Sequence, residues 1–146
     1  MSAHRRPVGR ARILAGLSSL VILVGCVLRW WSVGGLNGLP ELGGNAFDGL
    51  GIVVFAVALV TIAVVTLPYA TDRPVQADRW PVYTLLAALG WIAFVIRIVD
   101  LLMVGALAFR EPTQLVTNGP GLWVTGIGLA MLARAAYDIH RGLDQR

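Results

Sequence analysis

The chain has 146 residues, 57% of them hydrophobic and 14% charged, with a mean hydropathy of +0.74. Ordinary soluble domains carry about a quarter charged residues, so this composition excludes that class. One cysteine and two histidines leave no intramolecular disulfide and too few ligands for a structural zinc site, so no metal and no cofactor is expected.

Four long apolar runs fill the chain from Ile13 to about Ala136. A hydrocarbon core of about 30 Å takes about 20 residues of helix. The runs predict spans at about 11–30, 48–69, 82–106 and 120–138. They leave room for one bundle over residues 1–146 and for no separate soluble domain.

In the first run, arginine-rich Ser2–Arg12, apolar Ile13–Ile22 and then Leu23-Val24-Gly25-Cys26 fit a bacterial lipoprotein signal, which makes Cys26 a candidate lipidation site. Val27 and Leu28 prolong the apolar run, however, and three further spans make a lipid anchor redundant. An uncleaved span is therefore expected. On a helical wheel Ala15, Ser18, Ser19, Ile22, Gly25, Cys26 and Arg29 share one face. Small residues in a stripe let helix backbones approach closely inside a membrane bundle. Trp30 and Trp31 follow, placed for the membrane–water boundary that indoles favour.

Ser32–Asn45 is short and glycine-rich, with turn signals at Asn37-Gly38 and Gly43-Gly44, and suits a small hairpin. Asn45-Ala46-Phe47-Asp48-Gly49 opens span two, with Asn45 or Asp48 as the helix N-cap. With its paired tryptophans, glycine-rich loop and Asn-Ala-Phe-Asp-Gly stretch, the chain resembles small uncharacterised four-span integral membrane proteins of actinobacteria. That resemblance implies a location and a fold, and no particular activity.

Thr71–Pro81 reads as a tight turn with Pro74 and Pro81 breaking helix on either side. Span three holds Arg97 and Asp100, three residues apart and so on one helix face with Gly90 and Ala93. Arg97 lies about 22 Å along the axis from Val82, in the outer third of the hydrocarbon. A centrally placed Arg or Asp costs about 2.5–3.5 kcal/mol on insertion scales, so both side chains need partners. Arg29 and Asp48 reach the same end of the bundle, which predicts a charge-balanced outer cluster of Arg29, Asp48, Arg97 and Asp100. Two readings of it compete. Either the pair locks one packing arrangement, or a polar cavity opens outward to bind a lipid headgroup, a small anion or a proton. Further in, the spans offer only Ser18, Ser19, Thr61, Thr66 and Thr84, so no complete transport path is visible.

Arg110-Glu111-Pro112 ends span three and Asn118-Gly119-Pro120 starts span four, with proline near the first helical position. Gly121, Thr125, Gly128 and Ala135 line one face there, a second close-packing seam. Arg134 and Asp138 form an interfacial pair four residues apart, and Asp138-Ile139-His140 has too few ligands for a metal. Trp80, Trp91 and Trp123 read as interface anchors or packing.

All twelve basic residues are arginine, carrying a net charge of +4. Arg5, Arg6, Arg10 and Arg12 precede span one, Arg73 and Arg79 separate spans two and three, and Arg134, Arg141 and Arg146 end the chain. Only Arg29 and Arg110 lie on the other side. The positive-inside rule then places both termini in the cytoplasm and the protein in the plasma membrane as a multi-pass chain. The charge serves topology and anionic lipid, and no nucleic-acid partner is expected. Hydrolase, zincin, phosphate-loop and dinucleotide signatures are absent. The sequence thus predicts an all-α four-helix transmembrane bundle, up-down-up-down, N-in and C-in, without enzymatic activity. Its expected role is that of an accessory or scaffold component, packing in the lipid bilayer against itself as a homo-oligomer or against a larger membrane-protein partner. The alternative is a small transporter or ligand-binding module built on Arg97 and Asp100.

Overall fold

The structure is a computed structural model that describes residues 9–33, 40–70, 79–103 and 119–142. Four helices dominate it: α1 (Arg10–Val27), α2 (Gly51–Ala70), α3 (Trp80–Met103) and α4 (Pro120–His140). Between α1 and α2 stand two short strands, β1 (Trp31–Val33) and β2 (Leu42–Gly44), and a 3-10 turn, Ala46–Asp48. All four helices are long and apolar enough to cross a membrane. Their 18 to 24 residues give lengths of about 27–36 Å. Valine and isoleucine are poor helix formers in water, yet α2 is rich in them. A helix is the form that pairs every backbone group inside one apolar segment, and that requirement outweighs propensity.

The helix ends are set by local chemistry. Pro120 occupies the start of α4 and Pro81 the first turn of α3, where a missing N–H removes no helical bond. Pro68 falls inside α2 but only two residues from its end, so the lost donor affects the last turn alone. Helix α1 stops at Val27, three residues before the expected end of its span, because Leu28 turns extended. The amide of Leu28 still donates to the Val24 carbonyl at 3.1 Å. The Gly25 carbonyl, freed by the helix end, accepts the Trp30 indole Nε1–H at 2.9 Å. Trp30 is therefore fully buried in the bundle, edge-on to Phe94 at 5.7 Å.

The loop after α1 does form a hairpin. Trp31 opposes Gly44, Ser32 opposes Gly43 and Val33 opposes Leu42 in antiparallel register, and the Trp30 amide donates to the Gly44 carbonyl at 2.8 Å. The Asn37-Gly38 turn signal lies outside the described residues. Asn45 and Asp48 then cap the 3-10 turn reciprocally, the Phe47 amide donating to Asn45 Oδ1 at 3.0 Å and the Asn45 amide to Asp48 Oδ2 at 2.9 Å. This box closes the turn rather than α2, which begins three residues later.

Each helix lies against two neighbours: α1 against α2 and α4, α3 against α2 and α4. The α1–α4 contact is the tightest. A Cβ built on Gly25 would stand 2.6 Å from the Thr125 nitrogen, and one on Gly128 would stand 3.0 Å from the Ile22 nitrogen. One on Gly121 would stand 2.7 Å from the Gly25 and Leu28 carbonyl oxygens. The small-residue faces of α1 and α4 are thus spent on each other. Gly90 does the same for α3, where a Cβ would meet Leu129 at 2.8 Å and Val57 at 3.4 Å.

Large apolar side chains take the opposite side. Leu17, Leu20 and Val24 on α1, Leu59 and Val60 on α2, Leu85, Leu89 and Ile92 on α3, and Ile127 on α4 are all exposed. The buried polar side chains Ser18, Ser19, Thr61 and Thr125 lie inside. In water such a surface would be unstable, while in lipid tails it costs nothing.

Candidate functional site

The hairpin end of the bundle gathers the ionisable groups singled out by sequence, and it sorts them into separate pairs. Arg97 is 7% exposed, and its Nη1 donates to Asp100 Oδ2 one helical turn on. The guanidinium lies against Gly49, where a Cβ would stand 2.9 Å from Nη1 and 3.0 Å from Cζ. Glycine at this position is what lets Arg97 tuck under the junction between the 3-10 turn and α2. The Nε of Arg97 is buried with no hydrogen-bond partner among the described residues. Asp100 differs from its partner, its side chain being 52% exposed.

Arg29 does not join Arg97. Its Nη1 pairs with Glu41 Oε1 at 2.6 Å, the two side chains 65% and 49% exposed. Glu41 escaped the sequence reading because the pair exists only when the hairpin folds back across twelve residues. An exposed pair of this kind contributes about 0–1 kcal/mol. Asp48 is occupied as the cap of the 3-10 turn. Its carboxylate crowds Gly44 together with the Trp31 indole, whose Nε1 would lie 2.5 Å from a Cβ there. Trp31 Nε1 is buried and has no hydrogen-bond partner among the described residues. Arg29, Glu41, Gly43, Gly44, Asn45 and Asp48 line an open cleft of about 360 Å³. Arg110 and Glu111 lie outside the described residues.

Toward the middle of the bundle the polar groups turn inward on their own helices. Ser18 and Ser19 both donate to the Ala15 carbonyl, at 2.7 and 2.9 Å, and Thr61 donates to the Val57 carbonyl at 2.8 Å. These bonds satisfy the three hydroxyls within their own helices, while Thr125 Oγ1 is buried with no hydrogen-bond partner among the described residues. Cys26 is fully buried near the end of α1. Cleavage before it would remove most of the helix that makes the tightest contact in the bundle.

At the opposite end Arg134 Nε donates to Asp138 Oδ2 at 3.2 Å, Trp80 meets the His140 ring at 4.5 Å, and Arg141 lies over Tyr137 at 4.7 Å. This clustering of indole, phenol and arginine suits a headgroup zone. Trp123, 49% exposed at the start of α4, is placed for the other boundary. Among the described residues no three His, Cys, Asp or Glu side chains are grouped to hold a metal ion.

Comparison with known proteins finds no matching family model, no matching curated protein and no matching solved structure.

Proposed function

We propose that the chain is a non-enzymatic, multi-pass integral membrane protein that serves as an accessory or scaffold component, packing laterally against a second copy or a larger membrane complex. In this reading the bundle runs up-down-up-down in the plasma membrane with both termini cytoplasmic, as the arginine distribution favours. The observation that carries the accessory role is Asp100. Its carboxylate is half-exposed on α3 beside Ile96, Val99 and Met103, all exposed apolar residues. A carboxylate on an apolar face is costly unless something satisfies its remaining lone pairs, and a donor on a neighbouring helix does so. The spent small-residue faces of α1 and α4 leave these large side chains as the surface a partner meets.

Purification of the full chain in mild detergent, with cross-linking through cysteines introduced along the exposed face of α3, tests the reading. A specific partner or a dimer that is lost on Asp100→Leu supports it, and recovery of the monomer alone under all conditions contradicts it. A ligand-binding role at the hairpin end is the second reading, favoured by the cleft between Arg29, Glu41 and Asp48. Saturable binding of a small polar ligand, abolished by Arg29→Ala, would distinguish it.

A further inference from the structure

Arg134, Tyr137 and Arg141 stand at helical spacing on one side of the end of α4, and all three are exposed. The Tyr137 ring holds two guanidinium groups at once, with Arg141 Cζ 4.7 Å and Arg134 Cζ 5.9 Å from its centroid. Arg134 comes to the ring from the turn before and Arg141 from the turn after. The two distances together keep the guanidinium carbons within about 11 Å of each other. Asp138 fixes Arg134 further by accepting from its Nε at 3.2 Å, a bond that uses neither Nη1 nor Nη2. Arg10, which lines a cleft with Asp138, offsets the charge of that carboxylate. Arg141 also covers the carbonyl end of α4, whose partial negative charge would otherwise repel an anion. An exposed arginine loses side-chain freedom when it binds, and here the ring and the carboxylate have removed part of that freedom beforehand.

Depth decides which anion arrives. The same stripe continues into the apolar part of α4 through exposed Ala130, Ile127 and Trp123. Trp80, half-exposed and edge-on to His140 at 4.5 Å, stands at the level of the arginines. Indole, phenol and arginine together mark the plane of lipid headgroups, so phosphates of the leaflet itself lie within reach. The forked donors of a guanidinium match phosphate oxygens. Two phosphates joined through one glycerol, each a hydrogen bond from its own guanidinium, bridge the span that the ring sets.

We propose that Arg134, Tyr137 and Arg141 form a binding site for a diphosphatidyl lipid, each guanidinium taking one phosphate of a single headgroup and the acyl chains lying along Ala130 and Ile127. The inference rests on the membrane reading above. It sets the site apart from a general attraction of basic residues to anionic lipid, because the ring matters as well as the charge.

The test is native mass spectrometry of the full chain in phosphatidylcholine nanodiscs that hold cardiolipin and phosphatidylglycerol at equal phosphate. Retained cardiolipin is expected to exceed phosphatidylglycerol at least about tenfold per phosphate, since the first phosphate delivers the second. Tyr137→Leu keeps every charge but frees both guanidinium groups, and is expected to bring cardiolipin down to the level of phosphatidylglycerol. Tyr137→Phe keeps the ring and is expected to keep the preference. Arg134→Gln and Arg141→Gln should each lower cardiolipin about fivefold, the equivalent of about 1 kcal/mol for one arginine at an anionic surface. Arg79→Gln removes the same charge from the same end of the bundle without touching the ring, and should lower it less than about twofold. All these positions are exposed, so the variants keep the fold. Equal retention of the two anionic lipids per phosphate, a preference that survives Tyr137→Leu, or a loss on Arg79→Gln as large as the others would overturn the site. Failure of the chain to enter nanodiscs at all would strike the membrane reading, whereas folded protein that holds all three lipids alike strikes this inference alone.

Discussion

Gly25→Ala is a direct probe of the α1–α4 contact. Its Cβ would lie 2.6 Å from the Thr125 nitrogen and 3.0 Å from the Thr125 Cα. Carbon atoms rest against their neighbours at about 3.5–4.0 Å, so the helices must part by about 1 Å at this level. The neighbouring close approach of Gly128 to Ile22 lies on the same seam and loosens with it. Overpacking of this kind costs about 1–3 kcal/mol. Alanine returns up to about 1 kcal/mol through its better helix propensity. Because backbone atoms cannot swing aside, the overpacking falls at the upper end of that range, and a net loss of about 2 kcal/mol remains, a factor of about 30 in the folded-to-unfolded ratio. Equilibrium unfolding in mixed dodecyl maltoside and dodecyl sulfate micelles, followed by tryptophan fluorescence, reads this directly. Gly16→Ala is the control, because its Cβ would find only Val65 at 3.9 Å, and its stability should equal or exceed that of the parent. Adding Thr125→Ala to Gly25→Ala should restore stability only in part, since it removes the Oγ1 that the Cβ meets first and leaves the backbone nitrogen and Cα in place. Undiminished stability of Gly25→Ala, or full rescue by Thr125→Ala, would refute the close approach.

Other substitutions probe the ends of the bundle. Gly49→Ala should push the end of the Arg97 side chain aside at a cost of no more than about 1 kcal/mol, and in an Arg97→Leu background it should cost nothing; an equal loss in both backgrounds would show that the two residues do not touch. Trp30→Phe keeps most of the buried ring but leaves the Gly25 carbonyl without its donor, for a loss of about 1–3 kcal/mol in the same unfolding assay, and unchanged stability would mean that the bond is not made. Arg29→Ala should change stability by no more than about 1 kcal/mol because its pair with Glu41 is exposed, and a larger loss would indicate a buried role. Intact-mass measurement should find Cys26 unmodified in a chain that retains α1, with maleimide labelling only after unfolding; a diacylglycerol adduct would contradict the buried thiol.

Much of the fold was legible because bilayer thickness imposes a length on every apolar run, so four helices could be placed within a few residues. The glycine and serine stripes of α1 and α4 were equally readable, since small residues at helical spacing mark where backbones meet. Trp30 was not. Its burial depends on α1 ending at Val27 and on the carbonyl this frees, and an end of a helix inside an apolar run leaves no compositional mark. The partition of charges was hidden for a related reason. Arg29 meets Glu41 through a hairpin, and Arg97 meets Gly49 through packing between helices far apart in sequence, so position along a span brings such groups to one end without choosing among partners.

The central claim is that large apolar side chains face lipid while small and polar ones face the interior. Spin labels on single cysteines in a Cys26→Ala background test it, placed by Leu20→Cys, Val60→Cys, Ile92→Cys and Ile127→Cys at positions 54%, 46%, 58% and 58% exposed. In reconstituted bilayers all four labels should be relaxed by oxygen, which concentrates in hydrocarbon, and left untouched by a water-soluble nickel complex. Relaxation by nickel at these mid-helix positions would place them in water and contradict the account.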